Sequence, residues 1–227
     1  MSAPTDIRLG HMPEHHPEAE LLVDYAAGAL GEAESLVVAT HLALCPDCRH
    51  EVERFEAVGG AMLQEIEPAA LSAASRDAVM ARLDDVIAAP EVAAARRTPP
   101  EALAGLKLPQ PLRSYLGEAG PNWRRVIAGL AEHQLLAGPH RAVLLRIDPS
   151  VAMPTHTHRG REHTLVLAGG FTDAAGHYLR GDFRSTDPSI THQPVADPGE
   201  PCICLAITTA PLRLTGRLAR LLNPFLR

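Results

Sequence analysis

The chain has only four cysteines among 227 residues, too few for a disulfide scaffold. They stand as two close pairs, Cys45/Cys48 and Cys202/Cys204, and in a reducing compartment such spacing favours thiolate ligation or redox chemistry. Absent too is any N-terminal stretch joining basic residues to an apolar run of about 7–15 residues. The expectation is therefore a cytoplasmic protein with neither secretory signal nor membrane span. Basic charge is scarce at the front. Residues 1–90 carry sixteen Asp/Glu against five Lys/Arg, net −11, whereas residues 91–227 carry eleven against sixteen, net +5. An acidic first module repels nucleic acid and anionic lipid and favours a basic protein partner.

Hydrophobic residues make up 46% and charged residues 21%, the balance of a soluble globular protein. The length allows one large core or two small ones, since domains hold about 100–200 residues. From Glu18 to Ala89 the text is helical. "EAELLVDYAAGAL" offers Leu21, Leu22, Tyr25 and Leu30 to one face, and "GEAESLVVATHLALC" repeats apolar residues at three and four. Gly28 and Gly31 blur the boundary between the two. "CPDCRHEVERFEAVGGAMLQEI" starts a third helix, with Pro46 tolerated in its first turn and Asp47 favourable to the exposed N–H groups. Val52, Phe55, Val58 and Met62 are expected to pack inward. A fourth helix is expected from Ser72 to Ala88, grouping Val79, Leu83, Val86 and Ile87. Four short helices in about ninety residues make a thin core, which a metal clip or a docked partner would reinforce.

"APEVAAARRTPPEALAGLKLPQPL" has the paired prolines and small residues of a linker. After it the period shifts to that of strands: "WRRVIAGL", "RAVLLRID", "EHTLVLAGGF" and "CICLAITT", separated by turn residues. With no helical crossovers between them, an antiparallel sandwich or barrel is the economical arrangement. The fold class is thus two-domain. An all-α helical bundle occupies 1–90, a linker 91–110, and an all-β barrel 111–227.

His41, Cys45 and Cys48 have the spacing H-x3-C-x2-C. His41 and Cys45 share a helix face, and Cys48 lies in the first turn of the next helix, so the three side chains converge. Tetrahedral zinc needs a fourth ligand. His11, His15 and His16 are upstream candidates, and His50 is a nearby competitor. A dithiol redox pair and plain buried cysteines are the alternative readings.

With His16 the pattern becomes H-x24-H-x3-C-x2-C, which resembles the ligand set of the zinc-containing anti-sigma factor domain. "HHPEAELLVDYAAGAL...LVVATHLALCPDC" more narrowly resembles the ChrR family of anti-sigma factors. That resemblance implies that His16 completes a Zn2+ site with His41, Cys45 and Cys48. It also implies that the zinc-bound bundle clamps an extracytoplasmic-function sigma factor. The apolar side of the fourth helix has two readings, a surface laid across that partner or a cap on the bundle's own core.

"PTHTHRGREHTLVLAGGF" sets His156 and His158 on one strand face, with Glu162 four residues on, and "GDFRSTDPSITH" adds His192. Three imidazoles and a carboxylate suit a divalent metal, with zinc, manganese, iron or nickel all admissible. Solvated or hydrogen-bonded histidines are the bland alternative. His156, His158, Glu162 and Gly169 resemble the first motif of the cupin superfamily, except that Ser150 stands at its opening glycine. Gly181 and His192 resemble the second motif, although Pro188 is one place late and a glycine is missing. The resemblance implies a cupin-like jelly roll with a metal at those four residues, Zn2+ foremost. His133, His163 and His177 receive no role.

Cys202 and Cys204 alternate on one strand and face one side, open to redox sensing or to simple core filling. The resemblance to the ChrR family implies an anti-sigma factor that holds its sigma factor and releases it when the cupin module senses singlet oxygen or related oxidative stress. The alternative is a metal-dependent cupin enzyme of dioxygenase or isomerase type.

Overall fold

The computed structural model describes residues 11–88, 108–116, 120–138, 140–210 and 212–215. Most of the linker and the C-terminal "RLARLLNPFLR" lie outside them. The helices are α1 (Ala19–Ala26), α2 (Glu32–Leu42), α3 (Pro46–Gln64), α4 (Ala73–Ala88) and α5 (Gln110–Leu116). Gly28, with φ 67°, ends the first helical stretch in the left-handed conformation that glycine adopts without a Cβ penalty. None of the described helices is long and apolar enough to cross a membrane.

Eleven strands follow among the described residues: β1 (Arg124–Ile127), β2 (Leu130–Leu136), β3 (Arg141–Ile147), β4 (His156–His158), β5 (Glu162–Ala168), β6 (Gly170–Asp173), β7 (Gly176–Leu179), β8 (Phe183–Thr186), β9 (Val195–Ala196), β10 (Cys202–Thr208) and β11 (Leu212–Leu214). They pair antiparallel in three sheets ordered β1-β2-β3-β10-β5-β8, β11-β4 and β7-β6-β9, as a jelly roll requires. Two runs that read as single strands are each broken. "WRRVIAGL" turns at Ala128–Gly129, and "EHTLVLAGGF" turns at Gly169, whose φ is 62° and where a Cβ would lie 2.7 Å from the Pro201 carbonyl oxygen.

The central strands are buried on both faces, which explains their unbroken apolar text. On β10 and β5, Ile203, Leu205, Ile207, Leu165 and Leu167 belong to a core that also contains Leu36, Val37 and Val38 of α2, while Cys202, Cys204 and Val166 point the other way with Phe171, Tyr178 and Leu130. Helix α2 is correspondingly buried on nearly every side, between the other helices and the sheet, so it shows no polar face. The thin helical core is therefore completed by the barrel. Glu34 of α2 contacts His140, Tyr115 donates to Glu32 at 3.0 Å, and Arg161 pairs with Glu18 at 3.2 Å.

Leu22 is buried, and Leu21, Tyr25 and Leu30 pack against the core as expected. On α3 the inward stripe stops early. Val52 is buried and Phe55 packs on the core, but Val58 is 60% and Met62 68% exposed, correcting the expectation that both pack inward. The reason is length. Eight-residue α1 spans about 12 Å and cannot cover 19-residue α3, which spans about 28 Å. On α4, Val79, Met80 and Leu83 are likewise exposed.

Candidate metal centres

Cys45 is the N-cap of α3 and its sulfur accepts from the Cys48 N–H at 3.5 Å. This local turn, made possible by Pro46 at the first helical position, brings the two thiols together. The last turn of α2 delivers His41, and the irregular segment before α1 delivers His16. His16 Nδ1 lies 3.5 Å from Cys45 Sγ and 3.3 Å from Cys48 Sγ, and His41 Nε2 lies 3.3 Å from Cys48 Sγ. The four donor atoms all lie within 4.8 Å of one another. Zn–S bonds of about 2.3 Å and Zn–N bonds of about 2.0 Å place N and S on a tetrahedron edge of about 3.5 Å, so the cluster fits one zinc ion.

The remaining upstream histidines are occupied elsewhere. His15 packs against Tyr178 in a tilted ring pair with centroids 4.5 Å apart, His11 Nε2 sits 3.4 Å from Asp182 Oδ2, and exposed His50 faces Glu53 at 3.1 Å. Electrostatics also suit a metal. Burial lowers the His41 pKa to about 4, keeping the ring neutral and able to ligate, and burial with the neighbouring Cys45 pushes the Cys48 thiol up to about 12. A cation is what such a thiol needs to become a thiolate ligand.

The second centre lies inside the barrel. His156 and His192 form a backbone bridge, each N–H donating to the other's carbonyl at 3.1 and 3.0 Å, which puts their Nε2 atoms 3.0 Å apart. His158 Nε2 is 3.0 Å from Glu162 Oε2, and His192 Nε2 is 3.7 Å from the same oxygen. Donors bound at 2.0–2.2 Å to one ion stand about 3.0–3.5 Å apart. His158 is buried, its Nε2 meets only the Glu162 carboxylate and its Nδ1 has no hydrogen-bond partner among the described residues, so a metal at Nε2 would give the ring a firm anchor in a site where polar groups are costly to leave unmatched. Burial raises the Glu162 carboxyl, but His158, His156 and His192 outweigh it and hold the group below its ordinary range, ready to ligate.

An outer layer of hydrogen bonds orients these side chains. His156 Nδ1 donates to the Pro154 carbonyl at 2.7 Å, the Thr186 hydroxyl donates to Glu162 at 3.3 Å, and His192 Nδ1 lies 3.3 Å from buried Asp173 Oδ2. His156 and His192 are thereby left presenting Nε2 to the cluster. Asp173 was not legible beforehand, because nothing local in "FTDAAGH" marks its aspartate as the partner of a residue nineteen positions away. The departures from the cupin pattern are also resolved. Ser150, at the position of the motif's opening glycine, takes a left-handed backbone, φ 62°, a conformation glycine adopts without a Cβ penalty. The irregular turn before His192 is built by Asp187, whose carboxylate accepts from the N–H of Ser189 at 2.7 Å. His163 is buried against Ser185 Oγ at 3.1 Å, His177 pairs with Asp197 at 2.6 Å and His133 meets Asn122, none at either centre.

Cys202 and Cys204 face the barrel interior with their sulfurs 3.4 Å apart. The hydrogen bond between them, then burial, and the charges of Cys202 and Glu162 raise the Cys204 thiol.

Comparison with known proteins agrees with this layout. Residues 119–211 match the family described as the ChrR cupin-like domain, and residues 19–49, which include three of the four helical-site residues, match a zinc-finger family. The anti-sigma-E factor ChrR of Cereibacter sphaeroides is 45% identical over 216 residues, covering 94% of this chain and 98% of that protein. The crystal structure of Rhodobacter sphaeroides SigE in complex with the anti-sigma ChrR superposes with a TM-score of 0.73 at 40% identity, covering 87% of this chain and 99% of that one.

Proposed function

The chain belongs to the ChrR family of anti-sigma factors, and on that premise we propose that it binds and silences an extracytoplasmic-function sigma factor in the cytoplasm. Residues 1–90 form the clamp and hold Zn2+ at His16, His41, Cys45 and Cys48. Residues 111–227 form the sensor, joined through the linker 91–110. The sensor holds a divalent metal, Zn2+ foremost, at His156, His158, Glu162 and His192, and it releases the sigma factor on singlet oxygen or related oxidative stress. Cys202 and Cys204, lining the same interior, are candidate redox participants.

The observation that carries the clamp reading is the acidic, apolar surface of α3 and α4. Val58, Met62, Leu63, Val79, Met80 and Leu83 are each at least half exposed, in a module of net charge −11. A sigma factor is basic because it binds DNA, so it complements both properties. Direct binding of nucleic acid or membrane by this module is disfavoured by the same charge.

The relative is a regulator and not an enzyme. The barrel residues themselves support the regulatory reading, since His156, His158, Glu162 and His192 are each at most 7% exposed, leaving substrate little approach.

Co-expression with each extracytoplasmic-function sigma factor of the source organism tests the proposal. At least one is expected to co-purify with the chain, and Cys45→Ser with Cys48→Ser to abolish capture. Absence of co-purification with all of them at any ratio would refute the clamp. His156→Ala and Glu162→Ala are expected to keep capture but to blunt release when the complex is illuminated with a singlet-oxygen photosensitiser. Unchanged release would refute the sensor assignment.

A further inference from the structure

The two histidines of the helical metal cluster are held in place by the barrel. His41 Nδ1 donates to the Gly181 carbonyl at 2.9 Å, fixing the tautomer that leaves Nε2 toward Cys48. The His41 ring also meets the Phe183 ring edge-on, centroids 5.7 Å apart. His16 follows a segment with no helix or strand of its own, and the three backbone hydrogen bonds found for residues 11–16 all end on one barrel turn. The N–H groups of Glu14 and His15 donate to Asp182 Oδ1 at 2.7 and 3.1 Å, and the Phe183 N–H donates to the His15 carbonyl at 2.9 Å. Asp182 is in turn braced by the Leu179 N–H on its other oxygen at 2.7 Å. Gly181 is shaped to the segment. Its φ is 97°, and a Cβ there would lie 2.7 Å from Pro13 Cγ.

Resting on the reading of His16, His41, Cys45 and Cys48 as a metal clip, we propose that the barrel turn Gly181–Phe183 is the outer shell of that clip, with Asp182 as its positioning residue. The helical module alone supplies the four ligands but preorganises only the two cysteines and the helical histidine's backbone. Orientation of the His41 ring and placement of His16 come from about 140 residues or more away. The clip's metal affinity is thereby set in part by whether the barrel is docked, and a chain with an undocked barrel holds its ion more weakly. Outer-shell partners of this kind typically contribute about 10–100-fold in metal affinity.

The test uses the full chain loaded with Co2+ and titrated with a chelator. The thiolate-to-cobalt charge-transfer band reports the clip, because the barrel cluster offers only nitrogen and oxygen donors. Asp182→Ala removes the acceptor. Glu14→Pro removes one of its donors from the other side without touching the barrel, so it remains informative if Asp182→Ala disturbs the turn. Both are expected to lower Co2+ affinity, Asp182→Ala by about tenfold or more, and to change the ligand-field envelope as histidine coordination loosens. Parental affinity and spectrum in Glu14→Pro would overturn the proposal. A parent chain with no thiolate band would instead refute the clip itself, so the two failures are distinguishable.

Discussion

His41 and Gly181, 140 positions apart in the chain, are joined by a 2.9 Å hydrogen bond from the imidazole Nδ1 to the carbonyl. Through it the His/Cys cluster of the helices touches the barrel. Linkage is reciprocal, so if the barrel turn raises metal affinity, the metal raises barrel docking by the same factor. The amides of Glu14, His15 and Phe183 are therefore expected to exchange hydrogen about tenfold faster in the metal-free chain than in the zinc-loaded one. Equal protection in the two forms would show that cluster and turn are independent.

Within the barrel, Asp173 plays the corresponding part for His192. Asp173→Ala is expected to lower metal affinity of the barrel site by about 10–100-fold, measured by competition with a chelator, while capture of the sigma factor stays at the parental level. Loss of capture alongside the metal would contradict the separation of clamp and sensor.

The exposed apolar residues of α3 and α4 make a second kind of prediction. Leu63→Gln and Leu83→Gln remove contact surface without opening a cavity, so each is expected to change folding stability by no more than about 0.5 kcal/mol. If those faces meet the sigma factor, each weakens capture by about 1 kcal/mol or more, read by titration calorimetry. Parental affinity in both variants would move the interface elsewhere.

Ser150 carries a left-handed backbone, φ 62°, which costs a residue with a Cβ about 1–2 kcal/mol. Ser150→Gly removes that cost but frees the unfolded chain, leaving a net stabilisation of about 0.5–1 kcal/mol. A thermal melt checks it; a lower melting temperature would show that the Ser150 side chain stabilises the native turn.

Glu132, on β2, sits between Arg124 and Arg141. Burial raises its carboxyl, but the two guanidinium groups outweigh this and hold the pKa below the ordinary range. A carboxyl depressed in the folded state contributes stability above its unfolded value of about 4.3, and that contribution is lost as pH falls through the folded value. Glu132→Gln is thus expected to cost about 1 kcal/mol at pH 7, with the deficit closing below about pH 4. A deficit independent of pH would point to packing instead of charge.

Those parts of the two clusters that depend on short spacing were legible in the text. Cys45 and Cys48 share a helix start, His41 lies one turn before Cys45, and His156, His158 and Glu162 alternate along neighbouring strands, so local geometry converges them. The choice among His11, His15 and His16 was not open to the same reasoning, and only family resemblance singled out His16. In the fold each of the three meets a different partner: Asp182, Tyr178 and the thiols. The apolar period of α3 misled at Val58 and Met62, because periodicity reports a face and not what covers it.

Legible from the residues alone were the acidic and basic halves, which are counts of side chains, and the change from helical to strand period and the close-spaced site pairs, which follow from backbone geometry over a few residues. The tertiary structure decided that helices and barrel share one core, that Asp173 backs His192, and that Asp182 and Gly181 hold the segment and ring of the other cluster. Those contacts join residues 19 to 168 positions apart, and over such distances chain closure, burial and register select the partner, none of which leaves a periodic trace in the residues themselves.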